Sequence, residues 1–170
     1  RTTKLVASAK NHYDDAFSKM RNKEYQAAII EYKAAMKDYK RAKLSDDALN
    51  YIRGNLALSY AHTKNKEDLA MVPRYLNMIT STLYNNSDWA YNIAIAWNAS
   101  NNKKEAAELL VKVIKDDEFN YQAYVTLEAI YRDSGNQKEA KKITQKMHSA
   151  QSKEIRKKQI EKKNPKKKTK

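Results

Sequence analysis

The chain has 170 residues, a net charge of +14, no cysteine, and only two glycines and two prolines. This length suffices for one ordinary domain with a sizeable core, whereas the lack of cysteine excludes disulfides and thiolate metal sites. The scarcity of turn residues disfavours a many-turned β protein, and no apolar run approaches the roughly 20 residues that span a bilayer.

The chain begins at Arg1 rather than at Met. We therefore expect that a preceding segment such as a leader or lipid anchor was removed, which leaves the bacterial cell envelope and the cytoplasm both open as locations. Lys outnumbers Arg 27 to 7, and Asn occurs 15 times. This composition indicates the codon bias of an AT-rich genome and favours a bacterial source.

Apolar residues recur at helical spacing along most of the chain, so we predict seven to eight helices joined by short turns. The first helix is predicted from the stripe Leu5, Ala9, Tyr13, Ala16 and Met20, and the second from Ala28, Ile29, Tyr32, Ala35, Met36 and Tyr39. The polar segment RNKEY separates them. Ser45 or Asp46 is expected to cap the third helix, because both residue types accept hydrogen bonds from free backbone N–H groups.

The middle of the chain allows two interpretations. Pro73 fits the first turn of a helix that carries Leu76, Ile79 and Leu83. If the helix begins near Lys66 instead, Pro73 should kink it. Beyond this segment, Ser87 is the expected cap of the next helix, and further helices are predicted near 103–115, 121–134 and 137–150.

Two stretches of the chain repeat the same pattern. WNASNNKKEAAELL at 97–110 and YRDSGNQKEAKKIT at 131–144 begin 34 residues apart, and each leads from an aromatic residue through a polar turn to Glu-Ala. The repeated positions are Ile93, Ala94, Trp97, Ala106, Leu110 and Val113, which return as Leu127, Glu128, Tyr131, Ala140, Thr144 and Met147.

This pattern resembles the tetratricopeptide repeat, in which large, small and aromatic residues are followed by a small residue that opens a second helix. Tyr124 matches the first aromatic site of the family, and Gly135 matches its turn glycine. An earlier unit around Tyr13 and Ala28 fits as well, while the unit around Leu56 has a degenerate second helix. The resemblance covers residues 8–148 and implies a right-handed α-solenoid of antiparallel helix pairs. A helical bundle with coincidental spacing is the alternative.

Catalytic patterns are absent from the sequence. The three histidines, His12, His62 and His148, lie in different predicted helices and share no metal-ligand spacing. Neighbouring acids such as Asp46 and Asp47 point in different directions on a helix and cannot converge on one substrate. We therefore expect a protein that is not an enzyme and has no cofactor, no metal and no small-molecule substrate.

The resemblance implies that the first helix of each pair lines a concave groove for a peptide or partner helix. The corresponding positions are Tyr13, Phe17, Met20, Leu58, His62, Tyr91, Ile95, Asn98, Val125, Ala129 and Arg132. The Lys and Asn residues by which some family members clamp a C-terminal carboxylate are missing. A mostly apolar groove suits an amphipathic helix or an extended apolar peptide. The alternative is that the terminal helix of the chain itself covers these residues.

The last 20 residues are strongly basic. Residues 151–170 hold ten Lys or Arg and two Glu, a net +8 of the +14. The basic tail includes Lys157, Lys158, Lys162, Lys163, Lys166, Lys167 and Lys168. We expect a solvated helix that frays near Asn164 and Pro165, or else an arm that contacts nucleic acid or anionic lipid.

Taken together, these patterns predict an all-α protein with a tetratricopeptide-like domain at 1–150 and a Lys-rich tail at 151–170. The predicted function is a non-catalytic scaffold that binds another protein in an apolar groove, within a bacterial complex. The alternative is a helical protein that binds nucleic acid or an anionic membrane through its basic tail.

Overall fold

The computed structural model describes residues 2–163, and of Ser81 the backbone alone. Within that range the chain consists of helices joined by turns and contains no β-strand, which confirms the all-α class. The α-helices are α1 (Thr2–Arg21), α2 (Tyr25–Arg41), α3 (Asp46–Thr63), α4 (Lys66–Leu69), α5 (Val72–Leu76), α6 (Ser87–Ala99), α7 (Lys103–Asp116), α8 (Tyr121–Asp133) and α9 (Gln137–Lys163), with a 3₁₀ helix at Ser81–Asn85. No helix in this part of the chain is both long and apolar enough to cross a membrane.

A left-handed residue lies in the turn that follows each of five described helices, α1, α2, α3, α6 and α8. Lys23, Lys43, Lys64, Asn101 and Gly135 all have positive φ, between 54° and 78°. Such a residue reverses the chain and lets backbone N–H groups reach the last carbonyls of the helix. At Gly135 the glycine adopts this conformation without steric cost, because it has no Cβ atom.

The chain divides into two compact units, Arg1–Ala106 and Ala107–Lys170. In the first unit α1 packs on α2, α2 on α3, and α3 on α4, α5 and α6. Helix α3 is surrounded by these neighbours, and Ile52, Leu56 and Ala57 are almost fully buried. Because α3 is enclosed on several sides, its sequence is apolar around most of its circumference rather than along one stripe.

The segment between α3 and α6 is less regular than the sequence predicts. Pro73 does lie in the first turn of its helix, but α5 ends at Leu76, so the predicted longer helix through Ile79 and Leu83 is wrong. Both of these side chains are nevertheless buried. A separate short helix begins at Lys66.

Hydrogen bonds from α3 hold this irregular segment in place. The Asn50 amide Nδ2 donates to Thr80 Oγ1 at 2.5 Å, and Arg53 Nη1 donates to the Met78 carbonyl at 3.1 Å. The cap of α6 also differs from the prediction: the side chain of Asn86, not Ser87, accepts from the first N–H groups of that helix.

The second unit contains most of α7 together with α8 and α9, and α8 packs along α9. Helix α9 continues through residue 150, where the sequence predicts the domain to end, up to Lys163. Its first part buries Ala140, Ile143 and Ala150. Further along, the Tyr121 hydroxyl donates to Glu154 Oε2 at 2.6 Å, and this hydrogen bond raises the pKa of Tyr121 to about 12.

Candidate functional site

The first unit displays a row of aromatic side chains that crosses α1, α3 and the start of α6. We call it the aromatic row, and it consists of Phe17, Tyr13, Tyr51 and Trp89. Phe17 and Tyr51 are the most exposed of the four, at 41% and 46% of their surface. Since large apolar side chains are usually buried, such a cluster indicates a surface that can bind apolar groups.

On α1 the row is fixed by its neighbours. Tyr13 and Phe17 lie one helical turn apart and stack with ring centroids 6.5 Å apart and planes 9° from parallel. The Tyr13 ring also meets the edge of Tyr32 in α2 at 5.7 Å, and the Tyr13 hydroxyl accepts a hydrogen bond from Asn55 at 3.0 Å. Burial raises the pKa of Tyr13 above its usual range, so the hydroxyl stays protonated at neutral pH.

On α3 the row continues through Tyr51, which lies one turn before Asn55. Its ring meets Trp89 of α6 edge to face, with centroids 5.5 Å apart. The approach of Trp89 depends on Gly54, because a Cβ atom at that position would lie only 2.8 Å from Trp89 Cζ3. A glycine in the middle of a helix costs stability, so the close packing of this indole offsets that cost.

The predicted groove residue His62 lies at the end of α3. The His62 ring stacks on Tyr25 with centroids 4.8 Å apart and planes 13° from parallel. A cavity of about 510 Å³ adjoins this pair and is also lined by Lys23, Gln26 and Asn65. Burial lowers the pKa of His62, and the nearby Lys64 lowers it further, so the ring is neutral at pH 7.

The remaining predicted residues of the first unit are less accessible. Leu58 is only 8% exposed and therefore offers little surface to a partner, whereas Met20 is half-buried and its sulfur accepts from the Tyr32 hydroxyl at 3.9 Å. On α6, three half-buried residues share one face: Tyr91, Ile95 and Asn98. The aromatic row reaches α6 through Trp89, which precedes Tyr91 by two residues and so lies on another side of that helix.

Several predicted residues belong to the second unit. On α8, Val125 is 56% exposed and Ala129 is half-buried, while the exposed Arg132 pairs with Glu128 at 3.3 Å. On α9 the predicted tail lysines Lys157, Lys158, Lys162 and Lys163 are exposed. Lys166, Lys167 and Lys168 lie outside the described residues.

Four residues that take part in these contacts were not predicted from the sequence: Tyr25, Tyr51, Asn55 and Trp89. Two of them could have been predicted from helical spacing, because Tyr51 and Asn55 lie on the same face of α3 as Leu58 and His62. The place of Trp89 depends on the close approach to Gly54, which spacing does not reveal.

The titratable side chains named in the sequence form separate pairs. His12 Nδ1 lies 2.6 Å from Glu31 Oε2, and His148 Nδ1 lies 3.2 Å from Gln151 Oε1. Asp46 lies 3.8 Å from Arg53. Among residues 2–163, no three His, Cys, Asp or Glu side chains lie close enough together to hold a metal ion.

No protein-family model matches the chain, and no curated protein sequence matches it.

Proposed function

We propose that the first unit is a tetratricopeptide-like solenoid that acts as a non-catalytic scaffold and binds a peptide or helix of another protein along the aromatic row. The order of helix packing supports this architecture: α1 contacts α2 and α3, and α3 contacts both the α4–α5 segment and α6. Packing between consecutive and alternate helices is typical of solenoids of helix pairs.

The observation that carries the proposal is the exposure of Phe17 and Tyr51 on adjacent first helices. Each ring is already held by a neighbour, Phe17 by the Tyr13 stack and Tyr51 by the edge contact with Trp89. A partner would therefore meet aromatic groups that lose little conformational freedom on binding. Aromatic side chains in such positions commonly dominate the affinity of protein interfaces.

The contacts also indicate the kind of peptide that fits. Between Phe17 and Tyr51 lies the half-buried Tyr13, whose ring is fixed by the hydrogen bond that the buried Asn55 donates to its hydroxyl, so the row presents a rigid aromatic surface. At the far end of α3 the stacked His62 and Tyr25 border a cavity large enough for a side chain. An apolar or aromatic segment with one anchoring side chain near His62 satisfies both features.

The proposal can be tested with peptides selected against the intact chain from a random displayed library. We expect the double variant Phe17→Ser and Tyr51→Ser to weaken their binding about tenfold or more, as measured by isothermal titration, because such a loss is about 1.4 kcal/mol. The matched control is Ile30→Ser with Met78→Ser, which removes two apolar side chains that are 66% and 52% exposed elsewhere in the first unit.

The control should bind as the unchanged chain does, and both variants should retain the helical circular dichroism of the unchanged chain. Equal losses in the two variants, or undiminished binding by the Phe17 and Tyr51 variant, would place the interface elsewhere.

A further inference from the structure

Helix α9 carries a row of exposed basic side chains on the side next to its buried residues. We call it the α9 cation row, and it consists of Lys142, Lys146, Lys153 and Arg156. The intervals of four, seven and three residues place all four on one face of the helix. They extend over 14 residues, which corresponds to about 21 Å at about 1.5 Å per residue.

The row lines two adjoining grooves within the second unit. One holds about 440 Å³ and is bordered by Lys142, Lys146 and Lys153, with Glu118 and Tyr124 on its other side. The next holds about 430 Å³ and is bordered by Lys153 and Arg156. Ser149 and Lys153 line both, so the grooves form one continuous track along α9.

The track has an excess of positive charge. Lys142 pairs with Glu139 and Lys153 with Glu118, each at 2.6 Å. By contrast, Lys146 and Arg156 have no carboxylate within 4.0 Å in the described part of the chain. The Lys142 hydrogen bond, together with the charges of Lys138 and Lys146, holds the pKa of Glu139 below its usual range.

The lining of the track limits the class of ligand. Its apolar members, Ala150 and Tyr124, are 5% and 4% exposed, so a protein partner would find no apolar or aromatic anchor there. Membrane insertion requires an apolar stripe, but the exposed Ile155 and Ile160 stand five positions apart, about 140° around the helix. A single phosphate group would occupy only part of a track about 21 Å long. A ligand held by charge alone at several regular points is a polyanion.

We propose that the α9 cation row binds the phosphodiester backbone of nucleic acid without reading its bases. The four cations contact successive phosphates, and Glu118 opposes binding by holding Lys153. This site lies in the second unit and is independent of the peptide surface proposed above.

The test is fluorescence anisotropy of the intact chain with labelled single-stranded and duplex DNA of about 20 nucleotides, over salt from about 50 to about 200 mM. The variant Lys146→Gln with Arg156→Gln removes the two cations that lack a carboxylate partner. Each lost phosphate contact lowers the salt slope by about 0.7 for single strands and about 0.9 for duplex. Over this range the affinity of the unchanged chain should therefore fall about 7- to 12-fold more than that of the variant.

The matched control is Lys37→Gln with Lys40→Gln, which removes the same charge from exposed positions on α2. It should keep the slope of the unchanged chain, and Glu118→Gln should bind more tightly because it releases Lys153. Equal slope changes in the α9 and α2 variants would show that only overall charge matters and would overturn the site. Absent DNA binding, or tighter binding to phosphatidylserine vesicles or poly-glutamate that is lost in the α9 variant, would overturn nucleic acid as its ligand.

Discussion

Replacing Gly54 by alanine tests whether Trp89 packs closely against α3 at this position. In an isolated helix this change should stabilise the chain, because alanine is favoured over glycine in a helix interior by about 1 kcal/mol. In the folded protein, however, the new methyl group would lie 2.8 Å from Trp89 Cζ3 and 3.5 Å from Leu83 Cδ2. The indole must therefore move by several tenths of an ångström, and its edge contact with Tyr51 must move with it.

The two effects oppose each other, and the steric one should prevail. Inserting a methyl group into packed surroundings costs about 1 to 3 kcal/mol, against the gain of about 1 kcal/mol from helix propensity. We expect Gly54→Ala to lower the free energy of unfolding by about 1 kcal/mol, which is a fall of about 2 to 4 °C in the melting midpoint.

A second background separates the two effects. In a Trp89→Leu chain the indole is gone, so adding Gly54→Ala should raise stability by about 0.5 to 1 kcal/mol. Denaturant unfolding followed by tryptophan fluorescence reports on the first unit, from Trp89 and Trp97 in one background and from Trp97 alone in the other. If Gly54→Ala stabilises the chain that retains Trp89, or has the same effect in both backgrounds, the proposed contact is wrong.

Three further predictions concern other parts of the structure. Ala140 is 3% exposed on the buried side of α9, so Ala140→Leu should overpack the second unit and cost about 1 to 3 kcal/mol in a denaturant titration. Because the pKa of His62 is lowered by folding, stability should decline as pH falls below about 6.5, and His62→Gln should flatten that decline in melts between pH 5 and 7.5. Deleting residues 151–170 removes the Tyr121–Glu154 hydrogen bond and little buried area. The melting midpoint should therefore fall by only a few degrees. A fall of ten degrees or more would show that the end of α9 is a packed capping element.

The sequence predicts most of the long helices because each has a strong apolar period and a clear stop. Helices predicted at 103–115 and 121–134 are found at Lys103–Asp116 and Tyr121–Asp133. The segment between α3 and α6 could not be predicted in the same way. Its path depends on hydrogen bonds from Asn50 and Arg53 to residues 25 to 30 positions away, and helical spacing carries no information on such contacts.

The candidate site was predictable only in part. The stripe of Tyr13, Phe17 and Met20 follows from spacing along one helix, and the structure places these residues on one face with partial exposure. The position of Trp89 in the aromatic row could not be predicted from spacing, because it depends on the close approach of α6 to α3 at Gly54. Leu58 was predicted to line the groove but is buried. Residues on one helical face differ in burial according to which neighbours cover them, and helical spacing does not show this.

The most direct measurement of the proposed interface is site-specific photocrosslinking to a selected peptide. The photoreactive residue p-benzoylphenylalanine would replace Phe17 in one chain and Ile30 in another. Ile30 is the more exposed of the two positions, at 66% against 41%, so random encounters would label it more strongly. We predict a crosslink from position 17 that excess unlabelled peptide abolishes, and little from position 30. Stronger labelling at position 30, or labelling at position 17 that competitor leaves unchanged, would contradict a binding surface along the aromatic row.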